Sequence, residues 1–205
     1  MTRPARRNIA IAVAALLLAA GACTSASPRS IRYDDVAGSS RYPLTADGGY
    51  GAGVWTQRLG DPYTASIVLQ TSRPVTAHLE RVDLVASSPN LEVIGVLAAG
   101  PTRHLGQAMG GEGFPPAHMP RSMRTRYWPI DEVPVEKRTG TGIYGVDVII
   151  GLRFQTGKRA WFDGIQVTYS IDGQRYIGRF PVSWGMCRYS PCPIPKIGKP
   201  WGDQR

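Results

Sequence analysis

The chain has 205 residues, of which 19% are charged and 42% are hydrophobic, and its formal net charge is +9. This composition excludes a disordered chain and allows one well-filled core. The basic balance is most simply that of an inert basic surface, and weak attraction to anionic lipid or to an anionic wall polymer is the functional alternative. We predict no nucleic-acid partner, because no stretch alternates basic residues with exposed aromatic ones as such sites need.

Residues 1–22, "MTRPARRNIAIAVAALLLAAGA", have the three parts of a secretory signal. Three arginines precede an apolar run from Ile9 to Ala20, and small residues follow it. The run is too short to cross the roughly 30 Å hydrocarbon core comfortably as a mature helix. We therefore predict a signal peptide over 1–22, an exported protein, and a polar, Ser-rich tether over 23–49.

The junction "AAGAC", which ends at Cys23, resembles the lipobox of bacterial lipoprotein precursors, where a cysteine takes the first mature position. The chain departs from the commonest pattern, because Ala20 stands where leucine is usual. The same small residues also fit an ordinary cleavage site, so simple secretion remains an alternative. The resemblance implies that Cys23 carries palmitate-type acyl chains. Two or more such chains would hold the protein stably at the outer face of the cytoplasmic membrane.

The cysteine count is consistent with this assignment. Three cysteines are an awkward odd number for an exported protein. If Cys23 is lipidated, Cys187 and Cys192 in "CRYSPC" remain, and they can form a short disulfide in an oxidising compartment. The loop-entropy relation gives so short a loop about 2 kcal/mol of stabilisation.

From about Tyr50 onwards, apolar and polar residues alternate with the period of two that is typical of strands. Asp172-Gly173 lies between two alternating runs and predicts a tight hairpin. We predict six or seven strands that form an antiparallel immunoglobulin-like β-sandwich over 50–193, with a tail over 194–205. The runs are "YTASIVLQT", "VTAHLERVDLV", "LEVIGVLA", "VDVIIGLRF" and "GIQVTYSIDGQRYIGRFPVSW". Of these, "LEVIGVLA" suits a strand buried on both faces.

The block "IVLQTSRPVTAHLERVDLVASSPNLEVIGV" and the later "GIQVTYSIDGQRYIG" resemble the small sandwich domains of many uncharacterised actinobacterial secreted lipoproteins. The resemblance covers about half the chain, and its motifs are structural. It therefore implies a fold and a location, and it carries no functional residues.

A long insertion, 98–142, interrupts the strand pattern. Nine of the twenty-one residues from Gly100 to Pro120 are Gly or Pro, which excludes a helix or a central strand there. "TRYWPI" is typical of a short edge strand ending at Pro129. Loops this long are usually functional, disordered or wrongly assigned, and on the first of these alternatives we predict a partner-binding surface within the insertion. Its contact residues are predicted to be Arg121, Arg124, Arg126, Tyr127 and Trp128.

The insertion also contains a group of histidines and methionines, whose soft donor atoms favour Cu(I). They are His104, Met109, His118, Met119 and Met123. Periplasmic copper chaperones, which are also small sandwiches, resemble it in their use of a His-Met pair and a distant Met, but this chain lacks their later His-x-Met. Cu(I) binding is therefore an alternative, and our main expectation is a protein without a cofactor.

Catalytic motifs are few in the sequence. "SWGMCRY" resembles the Ser-x-Gly-Cys-x-Arg motif of L,D-transpeptidases, but Met186 breaks the spacing and Cys192 is close enough to oxidise Cys187. There is no Gly-x-Ser-x-Gly elbow and no His-Glu-x-x-His. We therefore predict a non-catalytic adaptor or binding module of the cell envelope, whose partner is an envelope protein or an acidic wall polymer. A carbohydrate-binding or wall-polymer-binding module is a second alternative, for which several strand aromatics would have to be exposed together.

Overall fold

A computed structural model describes residues 32–34, 43–46, 51–55, 58–99, 111–116, 127–137, 145–189 and 192. These residues form fourteen strands and one turn of 3-10 helix, Ile130–Glu132. Within those ranges there is no helix of the length and apolarity needed to cross a bilayer.

The strands form three sheets. Sheet A has the order β1 (Arg32–Asp34), β13 (Gln174–Phe180), β12 (Gly164–Ile171), β5 (Ala77–Val85), β9 (Pro134–Val135). Sheet B has the order β2 (Leu44–Ala46), β4 (Pro62–Thr71), β10 (Val146–Phe154), β6 (Leu91–Ala99), β8 (Tyr127–Trp128), and β7 (Gly111–Glu112) also pairs with β4. Sheet C has the order β11 (Arg159–Phe162), β14 (Ser183–Cys187), β3 (Gly51–Trp55). The pairings are antiparallel except those of β1 with β13 and β3 with β14.

Sheets A and B bury one hydrophobic core between them, as the alternation in the sequence predicts. On β12 the buried residues recur at every second position, and the same is true of the core-facing residues of β10. This period places all of them on one face of each strand. The prediction of an all-β sandwich is therefore confirmed, while its immunoglobulin-like character stays a prediction. The core residues of β12 and β10 are Ile165, Val167, Tyr169, Ile171, Val146, Val148, Ile150, Leu152 and Phe154.

The predicted hairpin joins β12 to β13. Asp172 has φ of 49° and Gly173 has φ of 74°. Both turn residues thus have the positive φ that a two-residue hairpin needs to match the twist of its strands.

Strand pairing begins earlier in the chain than the predicted domain start at residue 50. Within the range predicted as a tether, β1 adds to the edge of sheet A and β2 adds to the edge of sheet B. Leu44 of β2 is fully buried in the main core. Each of these strands has only three residues, so the local sequence carries too short a pattern to reveal it.

Three short strands lie in the described part of the insertion, within 111–116 and 127–137. The strands β7, β8 and β9 each pair over two residues, with β4, β6 and β5 respectively. As predicted for "TRYWPI", β8 is an edge strand that ends before Pro129. Proline has no N–H to donate to a ladder, so the strand ends there.

The strand buried on both faces is β10 and not β6, which is a correction to the sequence-based expectation. Val93 of β6 is 42% exposed beside a register shift. On β10, by contrast, Asp147 and Ile149 are fully buried on the side away from the main core. β10 lies between β4 and β6, and another segment of the chain covers its outer side. This explains why β10 is buried on both faces and β6 is not.

Candidate functional site

The face of sheet B that points away from the main core is the candidate site, and we call it the outer face. Three rows of residues cross it, as the strand registers show. The first row is Val68, Asp147, Ala99 and Tyr127, on β4, β10, β6 and β8. The second is Ser66, Ile149 and Leu97, and the third is Thr64, Gly151 and Gly95. The outer face of a sandwich sheet usually lies in water. Here much of it is covered.

A second apolar cluster lies on the outer face. Ala99 and Ile149 are fully buried there, and Leu97, Phe114 and Tyr127 pack against them. Phe114 and Tyr127 come from the insertion, so the insertion supplies the aromatic part of this cluster. Aromatic side chains contribute large contact areas in cores and at interfaces alike.

Phe114 lies over the two glycines of the third row. A Cβ built on Gly95 would come within 2.7 Å of the Phe114 ring, and a Cβ on Gly151 would overlap the same ring. Glycine at these positions therefore leaves the space that the ring occupies. The sheet and the insertion are complementary in shape at this point.

Two hydrogen bonds hold the chain before Phe114 against β4. The Gly113 N–H donates to the Pro62 carbonyl at 2.8 Å, and the Thr64 hydroxyl donates to the Gly113 carbonyl at 2.6 Å. Together with the β4–β7 pairing, they fix where the ring enters the cluster.

Tyr127 connects two parts of the insertion. Its phenol donates to the Pro116 carbonyl at 3.4 Å. Burial raises the pKa of the Tyr127 phenol above its ordinary value, and the nearby charge of Asp147 raises it further. A tyrosine phenol is ordinarily protonated at neutral pH, so it can act as a donor.

Polar groups accompany this apolar cluster. The Asp147 side chain is fully buried. The Ser66 hydroxyl oxygen is also buried, and no described residue forms a hydrogen bond with it. Buried polar groups are costly unless they find partners, so they are uncommon on a purely structural surface. The outer face thus combines an apolar cluster with a carboxyl, a hydroxyl and a phenol.

The two predicted contact residues that the structure describes point to opposite sides of sheet B. Tyr127 packs on the outer face, whereas Trp128 packs against the main core. Both are half-buried, so each contributes to packing and only part of each is open to a partner.

The other predicted site residues lie outside the described residues. They are Cys23, Arg121, Arg124, Arg126, His104, Met109, His118, Met119 and Met123. The described residues include no group of three or more His, Cys, Asp and Glu side chains that could hold a metal ion.

The predicted disulfide between Cys187 and Cys192 is present. The two Cα atoms are 5.4 Å apart, within the usual range. Cys187 is fully buried at the end of β14.

Removing this disulfide by Cys187→Ala and Cys192→Ala together is expected to lower the free energy of unfolding by about 2 kcal/mol, because the unfolded chain gains entropy. Urea unfolding measured with and without a reductant checks this. The reductant should destabilise the wild-type protein and leave the double variant unchanged. Equal responses of the two proteins would contradict the prediction.

The sequence pattern does not predict three members of the site, Phe114, Asp147 and Ser66. The run "VDVIIGLRF" contains a signal that the outer face of sheet B is covered. In this run Ile149 is apolar, although the alternation assigns its position to solvent. A strand with apolar residues on both sides is typically covered on both sides.

No protein-family profile matches the chain, and no curated protein matches it. A solved structure described as "Structure of Vibrio cholerae VesB protease" is similar at 10% sequence identity with a TM-score of 0.35. The match covers 71% of this chain and 32% of that chain, so this chain spans about a third of the length of the structure it matches. At that TM-score the similarity carries no argument about function.

Proposed function

We propose that this chain is an exported, lipid-anchored and non-catalytic binding module at the outer face of the cytoplasmic membrane. Its partner is an envelope protein or an acidic wall polymer, bound at the insertion where it covers the outer face of sheet B. The observation that carries the proposal is the aromatic cluster of Phe114 and Tyr127 on that face.

Two features of the chain support an envelope location. Residues 1–23 have the pattern of a lipoprotein signal that ends in Cys23. The Cys187–Cys192 disulfide is typical of oxidising compartments. The shortage of catalytic motifs in the sequence favours binding over catalysis.

The surface around β8 supports the choice of the insertion. Tyr127 and Trp128 are half-buried, which is the usual state of an aromatic anchor that is fixed by packing and still open on one side. Arg126 directly precedes Tyr127 in the sequence, and Arg124 lies three positions before it. Arginine and aromatic residues are enriched at interfaces, and arginine favours an acidic partner.

Photo-crosslinking in the native envelope tests this proposal. A photoreactive residue at Pro129, which is exposed next to β8, is expected to capture a partner, whereas one at Arg179 on sheet A is expected to capture none. Neutralising Arg121, Arg124 and Arg126 to glutamine should abolish the product from position 129.

The matched control is Arg73→Gln with Arg175→Gln and Arg179→Gln, which removes the same formal charge from exposed positions outside the insertion. It should leave the product unchanged. The proposal fails if the arginine-to-glutamine variant of the insertion gives the same product as the wild type.

A further inference from the structure

A second surface, at one end of sheet C, combines cations with an exposed aromatic ring. We call Lys158, Arg188 and Tyr189 the loop patch. Lys158 ends the turn between β10 and β11, and Arg188 and Tyr189 follow β14. The Arg188 N–H donates to the Lys158 carbonyl at 2.9 Å, which extends the β11–β14 ladder by one step. The two cationic residues therefore lie side by side on neighbouring segments.

Both cations of the patch are exposed, and neither side chain forms an ion pair with a described residue. Three other surface arginines each have a carboxylate partner, so the patch differs from them. Those pairs are Arg81 with Asp83, Arg153 with Glu92, and Arg175 with Glu80. Unpaired cations side by side repel each other and favour an anionic partner.

Tyr189 adds an apolar component to the patch. Its side chain is 42% exposed, and among the described residues only Val93 is another large hydrophobic residue exposed to that degree. The disulfide from the fully buried Cys187 to Cys192 closes the loop that carries Arg188 and Tyr189. The loop is thus fixed to sheet C at both ends.

We infer that the loop patch docks on anionic phospholipid headgroups and so orients the domain on the membrane. This inference rests on the proposed membrane attachment. Basic residues near an anionic bilayer each strengthen binding by about fivefold, and tyrosine favours the headgroup level because its ring is apolar and its hydroxyl is polar. The two cations alone would attract a soluble polyanion, and the exposed ring adds a preference for the headgroup level. The membrane surface matches both.

Lysine labelling on the full chain tests the inference. The protein is produced from its full-length gene in a bacterial host and reconstituted with vesicles of phosphatidylcholine, either pure or mixed with phosphatidylglycerol. A water-soluble acylating reagent is applied briefly, and the labelled positions are read by mass spectrometry. Lys137, which is also exposed, is the internal control.

Labelling of Lys158 relative to Lys137 is expected to fall about fivefold or more in the vesicles that contain phosphatidylglycerol. Arg188→Gln and Tyr189→Ser should each restore most of the labelling, whereas Arg73→Gln should not. An unchanged Lys158 to Lys137 ratio in the two kinds of vesicle overturns the inference. Protection by soluble polyphosphate without protection by anionic vesicles also overturns it, in favour of a polymer.

Flotation of the same samples reports the anchor separately. Cys23→Ser should abolish flotation with pure phosphatidylcholine vesicles if the lipid anchor exists. A wild-type chain that does not float there contradicts the proposed anchor, and its Lys158 labelling with anionic vesicles still tests the patch.

Discussion

Replacing Trp184 with alanine is expected to lower the free energy of unfolding by about 3–5 kcal/mol. Trp184 is only 4% exposed and belongs to the main core. Its ring stacks on Phe162 with a centroid distance of 6.0 Å, across the β11–β14 pair. The change leaves a large cavity where sheet C meets the core, and neighbouring side chains can fill such a cavity only partly.

Urea unfolding followed by circular dichroism measures this loss. Trp161→Ala is the matched control, because Trp161 lies on β11 next to Phe162 but is only half-buried. Its loss should be clearly smaller. If the two tryptophan variants are destabilised equally, burial against the main core is not what makes Trp184 important.

The second large effect is expected at Gly151, where valine should lower the free energy of unfolding by about 1–3 kcal/mol. A Cβ at this position overlaps the ring of Phe114 on the outer face. The ring cannot move towards Gly95, because it already lies close to that residue as well. Valine therefore forces Phe114 off the sheet and uncovers Ile149.

A double-mutant cycle with Phe114→Ala measures the coupling between these two residues. Phe114→Ala removes the ring, so Gly151→Val should cost less in that background than in the wild type. The same unfolding assay gives the four free energies. Strictly additive losses would show that Phe114 does not lie over Gly151.

The strands that pair with their neighbours in sequence were predictable, because a local pattern specifies them. The β12–β13 hairpin is an example, since alternation gives its buried face and Asp172-Gly173 gives its turn. In contrast, β1 and β2 pair with strands more than twenty residues away and have three residues each. Their position depends on free backbone groups at sheet edges, which no local pattern encodes.

The candidate site was predictable only in part. Tyr127 was predicted because it belongs to the group of basic and aromatic residues that ends in Trp128. Phe114 was not predicted, because the surrounding Gly and Pro residues indicate a loop. Its place on the sheet depends on hydrogen bonds of the preceding residue, Gly113, to Pro62 and Thr64 about fifty residues earlier. Asp147 fits the alternation as a solvent-facing residue. Its burial is a tertiary effect.

If Cys23 is lipidated as proposed, the early position of β1 limits how far the domain can move from the membrane. With Cys23 held in a bilayer, nine peptide steps reach Arg32, and even a fully extended chain of that length spans only about 30 Å. A domain of this size is about 40 Å across, so it stays within roughly its own diameter of the lipid. So short a connection would keep the domain in a thin layer next to the membrane. A partner in the same membrane would then have a high effective concentration. Even a weak contact at the insertion would then be occupied most of the time, without the tight interface that two freely diffusing proteins would need.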